Sequence, residues 1–397
     1  MRAVVTLGIV LGLLCEWSAN GSAQTPDDLR QKAVALERAG NTTNAVGAWR
    51  AFLKVQPANA EAYAHLGFLE ARLEHYRAAV PLYRKALALS PAMPGLRMNL
   101  GLALFKAGDL KEAVQIFSSL LKSEPPASPD AQRLETLLGL AYYGQREYAA
   151  AVPLLKKAVT SDPQNLPFRL LLAHSCLGSK QYQCVLDVYR EILLLNAESA
   201  EADMLAGEAL DEMNDHEGAT QQFRAAVKAN PAEPNVHFGL GYLLWTQSQY
   251  EEAAKEFQAE LANVPTHAQA MVYLGDSYIK MSSPEAALAF IKKALELDPG
   301  MELAHLDMGI LHVEGGRQQD ALREFKTAAQ LNPNDVNAHW RLARLYQAMG
   351  RKDEANAEFE KTKNLTKAAD DSVFSKLKNT GTKGNAAQGA IATPADK

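Results

Sequence analysis

The sequence predicts an all-α fold, a solenoid of antiparallel helix pairs, and three recurrences predict it. A small residue returns with a period of 34 residues, a second small residue follows each one, and a proline closes most of the units. The first small residue stands at Ala33, Gly67, Gly101, Gly139, Ala173, Gly207, Gly241, Gly275, Gly309 and Ala343. Twelve residues after each comes an alanine or, once, Val185. Four further on sits a bulky residue: Trp49, Tyr83, Phe117, Leu155, Tyr189, Phe223, Phe257, Ile291, Phe325 or Phe359. Eight units end on proline, among them Pro57, Pro91, Pro299 and Pro333, while Ala197 and Lys367 take that place in the fifth and tenth.

Taken in chain order, residues 1–23 read as a cleavable export leader. Arg2 precedes the apolar run Ala3–Leu14, and the small residues Gly21 and Ala23 suit cleavage before Gln24. The run is shorter than the roughly 20 apolar residues a membrane span needs. Leu14 precedes Cys15 where a lipidation signal needs a small residue, so lipidation is not expected. Residues 26–127 hold repeats one to three. The step from Gly101 to Gly139 is longer by four residues, which places a loop insertion at 128–131. Repeats four to ten fill 132–369. Residues 370–397 begin with DDSVFSKLKN, a possible capping helix, and end in a polar, small-residue tail expected to be disordered.

Within one unit, apolar residues recur at three- and four-residue spacing on both sides of a polar turn, the mark of two amphipathic helices. In repeat two they cover roughly residues 61–74 and 77–89. Glycine inside a helix costs about 1 kcal/mol relative to alanine, so Gly67 and its counterparts point to a close helix crossing. Pro91 and its counterparts stop the second helix by removing a donor and disfavouring helical geometry in the residue before.

Composition narrows the function. Of 397 residues 47% are hydrophobic and 22% charged, with a net charge of −5, which suits a large core and gives no electrostatic reason to expect nucleic acid. A phosphate-binding loop, a nucleophile elbow, an H-E-x-x-H and a C-x-x-C are all missing from the sequence. None of the nine histidines has another four residues away, and His305 and His312, seven apart, are expected to be structural. The repeats leave no room for a catalytic domain. No enzyme activity, cofactor or metal is expected.

The 34-residue pattern resembles the tetratricopeptide repeat family over residues 26–367. The resemblance implies a right-handed superhelix whose first helices line a concave groove, and a protein or peptide partner held there. Two specialised groove types of that family do not fit. The carboxylate clamp of chaperone-tail binders would need Lys, Asn and Arg where this chain has Ala64, Phe68, Met98 and Leu102. The asparagine ladder of the O-linked N-acetylglucosamine transferase would fall on His65, Asn99, Leu137, Leu171, Leu205, Gly239, Tyr273, Asp307 and Arg341, of which one is asparagine.

Groove-facing positions of the first helices carry apolar residues where a solvated face should be polar. Repeats three to five offer Met98, Leu102, Phe105, Leu140, Tyr143, Leu170 and Leu177, with His174 among them; repeats seven to nine offer Phe238, Tyr242, Trp245, Val272, Ile279, Leu306, Ile310 and Val313. Glu208, Asp211 and Glu212 interrupt them in repeat six. Such a stripe marks an interaction site for an apolar extended or helical segment with a basic residue nearby. Trp245→Ala and Tyr143→Ala are expected to weaken binding with little effect on stability. The bland alternative is that the array buries part of the stripe. Cys176 and Cys184 flank the turn of repeat five at equal distance from Lys180, so they either bridge in an oxidising compartment or leave Cys176 as a small apolar filler. The expectation is an exported scaffold, periplasmic or secreted from a bacterial envelope, without a stable membrane span. A structural subunit of an envelope or secretion assembly, and a binder of polysaccharide or a small molecule, stand beside it.

Overall fold

A computed structural model describes residues 25–195 and 198–384, with side chains as far as residue 368. The leader at 1–23 and the end of the tail lie outside the described residues. The helices fall into two compact units, the first ending at Pro163 and the second beginning at Gln164. In the first unit α1 (Pro26–Arg38) pairs with α2 (Thr42–Val55), α3 (Ala60–Arg72) with α4 (Tyr76–Leu89), α5 (Leu96–Ala107) with α6 (Leu110–Leu121), and α7 (Pro129–Gly144) with α8 (Tyr148–Ser161). In the second, α9 (Leu166–Gly178) pairs with α10 (Tyr182–Leu194), α11 (Ala200–Glu212) with α12 (His216–Ala229), and α13 (Val236–Thr246) with α14 (Tyr250–Asn263). The series continues with α15 (Ala268–Lys280) and α16 (Pro284–Leu297), α17 (Glu302–Glu314) and α18 (Gln318–Leu331), and α19 (Val336–Ala348) and α20 (Lys352–Gly384). Among the described residues every element is a helix, so the predicted fold of consecutive helix pairs is observed.

The recurring small residue has a direct cause. A Cβ on Gly67 would come within 2.8 Å of the Tyr83 ring, one on Gly207 within 2.6 Å of Phe223, and one on Gly241 within 2.8 Å of Phe257. In these pairs the bulky residue therefore lies on the glycine of the same pair. Tyr83 and Phe117 in the first unit, and Phe257 and Phe325 in the second, are buried in this way within the cores of their units. The second small residue is sealed too, with Ala79, Ala113, Ala253 and Ala321 fully buried.

The turn inside each pair also follows one rule. Its central residue is left-handed in all ten pairs: Gly40, Glu74, Gly108, Arg146, Lys180, Asn214, Ser248, Ser282, Gly316 and Gly350. The next amide donates back across the turn to the carbonyl five residues earlier, as His75 N–H does to Glu70 at 2.9 Å and Ser283 N–H to Tyr278 at 2.8 Å. This satisfies carbonyls that the end of the first helix would otherwise leave open. Six of the ten residues are not glycine, although a side chain in this conformation costs roughly 1–2 kcal/mol.

Two expected boundaries change. The predicted loop insertion at 128–131 is the start of a helix: Ser128 accepts the Ala131 N–H at 3.0 Å, and Pro129 and Asp130 occupy the first turn of α7. A capping serine, proline at the first position and an early acid all favour a helix start there, so the four extra residues lengthen α7 to 16 residues. The possible capping helix is not separate either. Between Lys352 and Asn379 there is no proline or glycine to interrupt it, and α20 continues unbroken to Gly384.

Candidate functional site

The candidate site is the face presented by the first helices of the pairs. In the second unit α9, α11, α13, α15 and α17 touch in succession, so their outward residues form one surface. In the first unit α5 brings Met98, Leu102 and Phe105 to this face, all half-buried against the core that contains Leu104 and Phe117. Leu140 and Tyr143 of α7 are half-buried, and the Tyr143 ring meets Tyr148 edge-on at 5.9 Å.

The second unit carries the denser arrangement. Phe238, Tyr242 and Trp245 line α13 and stack in series, with ring centres 6.4 and 6.1 Å apart. Tyr273 of α15 closes the group, edge-on to Tyr242 at 5.4 Å and to Trp245 at 5.1 Å. Burial raises the Tyr273 hydroxyl to about 12. His267 stacks on Phe238 at 4.8 Å. Tyr242 is the open member, 36% exposed. Trp245 is tied down, because its indole Nε1–H donates to Asp276 Oδ2 at 2.6 Å and Asp276 is buried. The expectation that Trp245→Ala spares stability does not survive this contact.

Part of the predicted stripe is core. Val272, Leu306 and Ile310 are buried; Leu306 and Ile310 pack with Leu322, Phe325, Leu342 and Leu345. Ile310 therefore belongs to the core and offers little to a partner. Ile279 is half-buried, and Val313 is exposed at the end of α17. On α9, Leu170, His174 and Leu177 are half-buried, and the His174 ring pairs with Glu201 of α11 at 2.7 Å. His305 lies between Glu324 and the Pro299 carbonyl, at 2.7 and 3.0 Å, and His312 accepts from Arg317 at 2.8 Å.

Between α11 and α13 the face opens into a cleft of about 460 Å³. Leu177, Met204, Phe238 and Tyr242 supply apolar walls, and Glu208, Asp211 and Glu212 line it as well. Glu208 is open to water yet hemmed in by the cleft, and this crowding pushes its carboxyl above the usual range; the charge of His174 opposes the shift and that of Glu212 adds to it.

A polar feature deeper in the unit escaped the sequence reading. Asp307 is fully buried, and neither of its carboxylate oxygens receives a hydrogen bond. Its carboxyl is pushed well above the ordinary range, first by burial and then by the neighbouring Asp276. Lys280 stands 3.9 Å from Asp276, and Arg341 lies close enough for both aspartates to oppose the lowering that burial imposes on it. The signal was present: Tyr273, Asp307 and Arg341 occupy equivalent positions in successive repeats, where Leu137, Leu171 and Leu205 stand earlier in the chain. Cys176 of α9 and Cys184 of α10 are joined in the structure, with Cα atoms 5.8 Å apart, a separation that suits a bridge across an antiparallel pair.

Two sequence profiles, both described as tetratricopeptide repeat, match this chain. One matches residues 70–138, 142–206 and 314–370, the other residues 30–94, 186–234, 204–267 and 238–302. A curated relative, DnaJ homolog subfamily C member 3 of Homo sapiens, is 22% identical over 224 residues, covering 54% of this chain and 44% of that protein. The chain thus spans less than half the length of this relative. Among solved structures, a tetratricopeptide repeat protein from Parabacteroides merdae ATCC 43184 is 20% identical, covers 63% of this chain and 97% of its own, and gives a TM-score of 0.48. YrrB, described as a TPR protein with an unusual peptide-binding site, is 20% identical, covers 45% of this chain and 91% of its own, and gives a TM-score of 0.37.

Proposed function

The chain belongs to the tetratricopeptide repeat family, and from that premise we propose that it is an exported, non-enzymatic scaffold holding an apolar segment of a partner protein on its first-helix face. The observation that carries this reading is the aromatic row on α13. Phe238, Tyr242 and Trp245 stack along one helix, and Tyr242 remains open to solvent. Aromatic side chains held rigid before binding lose little entropy on contact and dominate binding hot spots. The neighbouring cleft gives the row relief, which a segment can fill. Export rests on the composition of residues 1–23. No helix among the described residues is long and apolar enough to cross a membrane.

Affinity capture from fractionated cells tests the scaffold reading. The tagged full chain should be found in the envelope fraction, begin at Gln24, and retain one stoichiometric protein partner that Tyr242→Ala releases. A large assembly retained equally by both proteins would favour a structural subunit instead. A cytoplasmic chain still beginning at Met1 would refute the export part alone.

A further inference from the structure

On the reading that this face holds a partner segment, we propose that the cleft between α11 and α13 receives an arginine or lysine side chain of that segment, its stem on Phe238 and Tyr242 and its charge on Glu208. The cleft joins two chemistries that one such side chain satisfies together. Basic residues bury an aliphatic stem against apolar surface while the charged end seeks an acceptor. Tyr242 is 36% exposed beside Phe238, and an accessible aromatic side chain is a suitable partner for a cation.

The carboxylates narrow the choice further. Glu212 already accepts from the Tyr182 hydroxyl at 2.9 Å, and Asp211 pairs with His216 at 2.7 Å. Glu208 has no hydrogen bond or ion pair among the described residues, and it stands beside the aromatic wall. A wholly apolar occupant would cover this carboxylate without pairing it, which is unfavourable. A cation pairs it instead. Lys180 lines the same cleft and His174 acts on Glu208 from α9, against three carboxylates.

The test pans a random peptide library against the full chain and measures the best binder by fluorescence polarisation. Enriched peptides should carry a basic residue beside an apolar one. Replacing that basic residue with norleucine, or the protein's Glu208 with glutamine, should each weaken binding about tenfold, and the two together no further. Circular dichroism melting checks that Glu208→Gln stays folded. Peptides that lack a basic residue and ignore Glu208→Gln, yet weaken with Tyr242→Ala, overturn the inference and leave the groove reading in place. Peptides indifferent to both substitutions, or no enrichment at all, overturn both.

Discussion

The indole of Trp245 donates to the buried Asp276 carboxylate at 2.6 Å, which couples the most aromatic part of the first-helix face to the interior of the unit. The contact spans neighbouring repeats, from α13 to α15. It holds the ring at a fixed angle against Tyr242 and Tyr273, so the row is shaped before any partner arrives.

Removing this donor leaves Asp276 buried and short of a hydrogen bond. Trp245→Phe is expected to lower stability by about 1–3 kcal/mol, the usual cost of stranding a buried polar group. Tyr242→Ala, at an open position, should cost less than about 1 kcal/mol. Urea midpoints for the two variants check the ordering, and equal losses would mean that the hydrogen bond carries no weight.

Glu302 at the start of α17 gives the unit a pH dependence. Burial first, then the Asp335 carboxylate at the start of α19, push its carboxyl from an ordinary 4.5 up to about 7. The folded chain therefore holds this proton more tightly than the unfolded chain. Its stabilising contribution is full below pH 4.5 and is lost as pH rises to about 7. Glu302→Gln should leave stability nearly unchanged at about pH 4.5 and raise it relative to wild type at about pH 8. Parallel melting curves for both proteins across that range would contradict the shift.

The left-handed turns predict opposite effects of glycine at two equivalent places. Gly316 has φ +70°, and a Cβ added there would meet nothing within 4 Å, so Gly316→Ala acts through the backbone alone. It should destabilise by about 1 kcal/mol, whereas Ser282→Gly at φ 57° should be neutral or stabilise by up to about 1 kcal/mol. Thermal melts of the pair measure both, and two changes of the same sign would remove the argument.

The bridge between Cys176 and Cys184 closes a short loop inside one helix pair. In protein taken from its own cells, thiol labelling after unfolding without reductant should find neither of these residues free. Reduction should lower stability by roughly 2–3 kcal/mol. Two labelled thiols would show that the pair stays reduced in its own compartment.

Much of the fold was legible because the repeat is written in residues with one physical meaning. Gly67 and Tyr83 must be read together, and their spacing recurs. The turns were less legible, since glycine marks only four of the ten left-handed positions and Glu74, Arg146 or Ser282 carry no such signal. Periodicity placed Phe238 and Tyr242 on the face where the structure leaves them accessible, but it placed Val272 and Ile310 there too, and these are buried. A face assigned by periodicity is the same in every repeat, whereas burial depends on which side chains the neighbouring helices bring against it. Asp307 was missed because a charged residue on a helix reads as solvated unless the leucines at its position in earlier repeats are weighed; in the structure it is buried, with Asp276 of α15 and Arg341 of α19 near it.

The central claim is that a partner lies on the first-helix face of the second unit, and site-specific photocrosslinking in intact cells tests it most directly. A benzophenone side chain placed at Tyr242 should give one covalent adduct of defined mass on illumination. The same probe at Lys292, exposed on the second helix α16, should give none. Adducts from Lys292 with none from Tyr242 would place the partner on the opposite side of the helix pairs and contradict the account.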